Sequence, residues 1–176
     1  MVLEEILLPA EEIGRKVEEL AREINQDYAG RRVTVVGVLK GAYVFVADLL
    51  RHLDPLLEVR LDFISVSSYG NAQKSSGEVR LLKDLEESVE GKNVLLVEDI
   101  VDTGLTLDYL CRLLWARRPA DLRVCVLLDK RSRRVVKVPL DYVGFVIPDR
   151  FVVGYGLDCA GMYRHLPYVA AVRVEE

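Results

Sequence analysis

Residues 93–107 read NVLLVEDIVDTGLTL. An apolar run leads into two adjacent carboxylates, Glu98 and Asp99, and then into Asp102, Thr103, Gly104, Leu105 and Thr106. Adjacent carboxylates at the carboxyl end of a strand are natural hydrogen-bond acceptors for a ribose diol. A Thr- and Gly-bearing loop entering a helix offers backbone N–H groups, hydroxyls and the positive end of the helix dipole, which together cradle a phosphate. Gly104 allows the backbone to come close to a ligand. Diol acceptors one short turn from a phosphate cradle match a ribose 5-phosphate. Asp-Thr-Gly alone is as readily a helix cap in a solvated loop; the apolar strand, the acid pair and DTGLT together are far more specific.

Other chemical signatures are missing. Residues 70–75 (GNAQKS) lack the second glycine of a P-loop, and Gly154-Tyr155-Gly156 is followed by Leu157-Asp158-Cys159 rather than by a dinucleotide-binding pattern. Neither GxSxG nor HExxH occurs. His52 and His165 are the only histidines and are read as surface residues. Three cysteines (Cys111, Cys125, Cys159) without a CxxC pair speak against a disulfide framework or a zinc ribbon.

The candidate residues need elements to hold them. Ile13, Val17, Leu20 and Ile24 recur at helical spacing behind Pro9, Glu11 and Glu12, which predicts a helix stopped by Ala29-Gly30. Strands are predicted over 33–39, 57–66, 93–97, 122–128, 141–146 and 169–174, and helices over 42–53 and 105–116. Within 57–66, Val59, Leu61 and Phe63 fall on one side. Residues 67–77 (SSYGNAQKSSG) read as a long mobile loop, with 78–82 as the strand returning from it. Strands alternating with helices imply an α/β fold with a mainly parallel sheet flanked by helices. Ligands then sit at the carboxyl ends of the strands, near a switch point.

The chain of 176 residues is 51% hydrophobic and 30% charged, which suits a single domain over 1–176 and excludes a disordered chain. It has no run of about 18 apolar residues, so no membrane span is expected. A net charge of −4, from 24 basic and 28 acidic residues, lacks the basic excess of a dedicated nucleic-acid binder. Glu4 and Glu5 stand where a secretory signal needs positive charge, so a cytoplasmic location is expected.

The 93–107 string resembles the phosphoribosyl-pyrophosphate signature of the type I phosphoribosyltransferases. Leu39-Lys40-Gly41-Ala42 looks like that family's pyrophosphate loop, and Ser68-Tyr69-Gly70 like the start of its flexible catalytic loop. LLDKR at 127–131 and VGFVIPDRFVVGYGLD at 143–158, continued by Tyr163-Arg164, are similar to the purine-binding half of the hypoxanthine-guanine branch. The likeness covers most of the chain.

The resemblance implies the type I fold, with a small hood formed by the N- and C-terminal segments. It also implies a purine-salvage reaction. Phosphoribose passes, with magnesium, from phosphoribosyl pyrophosphate to N9 of hypoxanthine or guanine, giving IMP or GMP plus pyrophosphate. Glu98 and Asp99 then accept the ribose hydroxyls. Asp102, Thr103, Gly104, Leu105 and Thr106 hold the 5-phosphate, and Asp102 is also the general base near N7. Lys40 and Gly41 offer N–H groups to pyrophosphate, the Leu39–Lys40 peptide is cis, and Arg164 pairs with pyrophosphate through its planar fork. Lys130 donates to the purine O6, which favours a 6-oxo base over adenine. Phe151 stacks on the base and Val152 meets it through its backbone. Asp158 serves the purine side and, with Glu98 and Asp99, the magnesium. Ser68 and Tyr69 begin a lid that excludes water. Taken alone, Lys130 belongs to a basic run of the kind usually solvated, Phe151 to a type usually found in cores, and Asp158 to a turn.

Two departures from the family pattern occur. Leu105 stands where some members have Lys. Cys159 and Ala160 stand where some have Tyr and Asn, which leaves the hypoxanthine-to-guanine preference open. A xanthine-preferring enzyme and an RNA-binding regulator on the same fold are the competing readings. Lys130, Arg131, Arg133 and Arg134 favour the regulator, and Phe151 and the net charge oppose it. The expected partners are phosphoribosyl pyrophosphate and a purine base, with neither nucleic acid nor membrane, and further copies of the chain in a homodimer or homotetramer.

Overall fold

The computed structural model describes residues 2–68 and 79–173. In chain order its strands are Val2–Leu8 (β1), Arg32–Leu39 (β2), Glu58–Ser68 (β3), Val79–Lys83 (β4), Asn93–Val101 (β5), Asp121–Asp129 (β6), Tyr142–Val146 (β7), Val152–Val153 (β8) and Val169–Arg173 (β9). The helices are Ala10–Asp27 (α1), Tyr43–Arg51 (α2) and Leu105–Trp115 (α3).

Apolar alternation explains the layering. In β5, Leu95 and Val97 join one buried cluster while Val94 and Leu96 join another. A strand buried on both faces needs a cover on each, as in parallel sheets. Ile13, Val17, Leu20 and Ile24 of α1 and Phe45 and Leu49 of α2 cover the first face. Leu107, Leu110 and Leu114 of α3 cover the second. The six strands run in the order β4-β3-β2-β5-β6-β7, with every neighbouring pair parallel except the antiparallel β3–β4. From β2 the chain crosses to β3 on one side, and from β5 it crosses to β6 on the other. The carboxyl ends of β2 and β5 therefore diverge around a crevice, the switch point where α/β sheets bind ligands.

The expected α/β sheet with a terminal hood is present. The hood is a separate antiparallel sheet, β1-β9-β8. Arg150 ties β1 down, donating to Glu5 at 2.6 Å and to Glu4 at 2.7 Å. No strand was expected over Val2–Leu8 or Val152–Val153, and β9 organises both. β5 also runs past its predicted end at 97, because Glu98, Ile100 and Val101 keep pairing with Val126, Leu128 and Asp129 of β6. The two acids thus belong to a hydrogen-bonded strand rather than to a loop. In β3, Val59 and Phe63 pack on the α1/α2 cluster, Leu61 on the same side is left open, and Ile64 on the other side is fully buried. Tyr69 and nearly all of the predicted lid lie outside the described residues, and Ser68 ends β3 just before them. Among the described residues, no helix is long and apolar enough to cross a membrane.

Candidate active site

A cleft of about 290 Å³ opens at the switch point, lined by Leu39 and Gly41 after β2 and by Glu98, Asp99, Asp102 and Thr103 from the end of β5, among others. Glu98 and Asp99 are only 7% and 9% exposed. The Asp99 N–H donates to Glu98 Oε1 at 3.1 Å, and the Ile100 N–H to Asp99 Oδ1 at 2.7 Å. Burial, and then the neighbouring Asp99 charge, hold the Glu98 carboxyl well above the ordinary carboxylate range. Burial also raises Asp99, against the opposing pull of its hydrogen bonds and of the Arg164 charge. Two buried carboxylates side by side repel each other, and hydroxyl donors or a hard cation relieve that strain.

Gly41 lets the β2 loop meet this pair. A Cβ built on Gly41 overlaps the Asp99 carboxylate, so only glycine fits. The Leu39–Lys40 peptide before it is cis, as expected. The Gly41 carbonyl is packed in turn beneath Gly156. Arg164 Nη1 donates to the Gly156 carbonyl at 2.6 Å, and its Nη2 pairs with Asp158 at 2.8 Å. The structure therefore brings Lys40, Gly41, Arg164 and Asp99 into one neighbourhood.

Asp102 sits among cations. Lys130 Nζ lies 3.8 Å from its Oδ2, and Arg133 Nε lies 3.2 Å from its Oδ1. Oδ1 is buried, and no donor is aligned to hydrogen-bond with it. Lys130 is only 7% exposed, so it does not behave as one of a solvated run. After Asp102, Gly104 takes a φ of 88° at the start of α3, and Leu105 N–H donates to Thr103 Oγ1 at 3.4 Å. Thr106 lines the cleft with them.

The purine-side candidates are more dispersed. Phe151 is 45% exposed rather than core, and Val152 is buried in β8 of the hood. Asp158 does not form a carboxylate cluster with Glu98 and Asp99. Its oxygens accept from Arg164 and from the Gly161 N–H at 2.7 Å. Among the described residues, no group of three or more His, Cys, Asp and Glu side chains is gathered to hold a metal ion.

Three neighbours of the site were given no place in it by the sequence reading: Asp129, quoted only within LLDKR, and Arg133 and Arg134, read only as part of a basic run that could suit RNA. Asp129 is buried at the end of β6 and pairs with Arg131 at 2.9 Å and with Arg134. Their signal in the sequence was the acid beside a basic run, which by itself reads as surface. A wider groove of about 880 Å³ lies at the opposite ends of the strands. Of its cations, Arg32 pairs with Glu58 at 2.5 Å, Arg60 and Lys92 pair with Glu87 at 2.9 and 3.3 Å, and Arg31 donates to the Asp27 carbonyl at 2.9 Å. It has no buried acid pair, so the chemistry belongs to the smaller cleft.

A family model described as the phosphoribosyl transferase domain matches residues 4–160. The chain is 49% identical over 171 residues to the hypoxanthine-guanine phosphoribosyltransferase of Bacillus subtilis, covering 97% of this chain and 94% of that one. It is 48% identical over 170 residues to the hypoxanthine phosphoribosyltransferase of Salmonella typhimurium, covering 96% and 94%. A crystal structure of a hypoxanthine-guanine phosphoribosyltransferase from Bacillus anthracis matches with a TM-score of 0.92 and 48% identity, over 98% of this chain and 100% of that one.

Proposed function

The chain belongs to the phosphoribosyltransferase family, in its hypoxanthine-guanine branch, and from that premise we propose that it makes IMP and GMP from phosphoribosyl pyrophosphate and the free bases, releasing pyrophosphate. The observation that carries this reading is the buried pair Glu98–Asp99, one turn ahead of the Thr103–Gly104 cradle, with Gly41 packed directly on Asp99.

In this reading, Glu98 and Asp99 orient the ribose through its hydroxyls, and the backbone of Asp102, Thr103, Gly104, Leu105 and Thr106, with the Thr hydroxyls, holds the 5-phosphate. N9 of the purine attacks C1 as the bond from C1 to pyrophosphate breaks. The base must shed a proton, and Asp102 takes it, contributing about 10²–10⁴-fold. The Asp102 side chain is 41% exposed and lines the cleft, so it is within reach of a base bound there. Lys130 donates to O6, Phe151 covers the ring and Val152 offers its backbone. Lys40, Gly41 and Arg164 receive the leaving pyrophosphate. Ser68 and Tyr69 begin the lid that keeps water from C1.

Magnesium fits the donor set, because Glu98 and Asp99 present hard oxygen ligands beside the pyrophosphate loop. When bound, it neutralises charge on the pyrophosphate. Asp158 would help to hold the ion, although Arg164 and the Gly161 N–H engage its oxygens here. A cytoplasmic homodimer or homotetramer, acting as one domain over 1–176, completes the proposal, and light scattering checks its size.

A base panel tests the reading. The protein is incubated with phosphoribosyl pyrophosphate, magnesium and one of hypoxanthine, guanine, xanthine, adenine or uracil, and nucleotide and pyrophosphate are quantified. The expected result is turnover with hypoxanthine and guanine that stops on chelation of magnesium. Turnover mainly with xanthine would reassign the base. No turnover from folded protein would overturn the reading and make salt-dependent RNA binding the next measurement.

A further inference from the structure

The loop assigned to the 5-phosphate has its shape imposed from outside the cleft. The carbonyl of Asp102 accepts from Arg134 Nε at 3.1 Å. The carbonyl of Thr103 accepts from the N–H groups of Val135 and Val136 at 2.9 and 3.3 Å. In a planar trans peptide, the C=O and the following N–H point in opposite directions. Two carbonyls drawn out to residues 134–136 therefore turn the N–H groups of Thr103 and Gly104 the other way. Both residues line the cleft.

Gly104 supports this independently. A Cβ built on it comes within 2.8 Å of Arg134 Cδ and 3.1 Å of the Val136 carbonyl. The 134–136 segment thus closes the outer side of the loop, with no space for a side chain. Arg134 is itself anchored, because its Nη2 rests on Asp129, a carboxylate only 1% exposed at the last position of β6. The chain of contacts runs from a rigid strand, through a buried ion pair, to the peptide group of the loop.

We propose that Arg134, held by Asp129, is a positioning residue that fixes the peptide groups 102–103 and 103–104 so that their N–H groups face the 5-phosphate. It does so without touching substrate. The inference rests on the reading of this loop as the phosphate site. An arginine is required because Nε and Nη2 reach two acceptors at once along a planar fork, whereas a lysine ammonium is a single point on a flexible stem.

The test uses Arg134→Lys and Arg134→Met, with thermal melts to establish folding. Steady-state kinetics are combined with calorimetric titration of IMP and inosine, which differ only in the 5-phosphate. Misaligned donors to a charged group should weaken phosphate binding by about tenfold or more. The Michaelis constant for phosphoribosyl pyrophosphate and the dissociation constant for IMP should rise by that factor. Those for hypoxanthine and inosine should stay within about twofold.

If Arg134→Met leaves the buried Asp129 charge uncompensated and does not fold, the double variant Asp129→Asn/Arg134→Gln removes both charges and is read in the same way. IMP affinity unchanged in folded variants would overturn the inference. So would an equal loss for IMP and inosine, which would signal general damage. Wild-type protein binding IMP no better than inosine would overturn the phosphate reading itself, and this inference with it.

Discussion

Gly41→Ala adds one methyl group where the cleft has no room for it. The new Cβ overlaps the Asp99 carboxylate and lies 2.7 Å from its Cγ, while ordinary contact begins at 3.4 Å. The carboxyl carbon must therefore withdraw by at least about 0.7 Å. Asp99 resists, because its Oδ1 takes the Ile100 N–H at 2.7 Å and its strand stays paired with β6 on through Val101. The loop resists as well, because Gly156 is packed against the Gly41 carbonyl. Whichever side yields, ribose acceptors and pyrophosphate donors lose their mutual register. A misplacement near 1 Å costs about 10²-fold, so kcat/KM for phosphoribosyl pyrophosphate should fall by about 10²-fold, or about 2.7 kcal/mol. Gly14→Ala is the matched control. The same methyl group lands on α1 with nothing within 4 Å, and should stabilise the helix by about 0.5–1 kcal/mol. That raises Tm by about 1–4 °C with kcat unchanged. Initial-rate kinetics and calorimetric melts read both variants. A Gly41→Ala protein within about threefold of wild type in kcat/KM would refute the packing argument.

Three further outcomes are expected. Asp102→Asn should bind IMP normally but slow the single-turnover rate by about 10²-fold or more, and a near-normal rate would remove Asp102 from the base role. Lys130→Gln should lower the preference for hypoxanthine over adenine, measured as a ratio of kcat/KM values, by about tenfold or more; an unchanged ratio would mean that Lys130 does not read O6. For Glu98, the folded state holds the carboxyl proton more tightly than the unfolded chain does. Its contribution to stability is therefore intact below the ordinary value of 4.5 and is lost as pH rises through the elevated folded value. Glu98→Gln should accordingly melt higher than wild type at pH 8, with the gap closing toward pH 4, and coincident melting curves across that range would contradict the assignment.

The parallel sheet was legible because its strands are buried on both faces and read as unbroken apolar runs, as at Val94, Leu95, Leu96 and Val97. The acid pair and the DTGLT loop were legible because their residue types state their chemistry. β1 was not. Its side chains are exposed apart from Leu7 and Leu8, it carries Glu4 and Glu5 in mid-strand, and it is a strand only because β9 pairs with it. Nothing local encodes a partner from the far end of the chain. The same holds at residues 129–134, where composition reads as a solvated run. There, burial of Asp129 and Lys130 depends on β6 ending beside the Asp102 loop, through the hydrogen bond from Lys130 N–H to the Val101 carbonyl at 2.9 Å. Pattern reports a face; it does not report what a long-range neighbour does to it.

The hood has a consequence for the order in which the molecule is built during synthesis. β9, the central strand of that sheet, begins only at Val169, whereas the larger sheet has all its strands once Val146 has been made. A growing chain that has reached Val146 already carries Glu98, Asp99 and the loop through Thr106, but Phe151 and β8 do not yet exist. β1, the first strand to emerge, must wait for nearly the whole chain before its partner arrives, since long-range pairing forms only after the intervening chain is closed. A nascent or truncated chain stopped before Val169 therefore holds the elements assigned to the sugar phosphate without the sheet that supports the base. In the proposed site, Lys130 is in place before Val146, and the support that the hood gives Phe151 and Val152 is the last part to form.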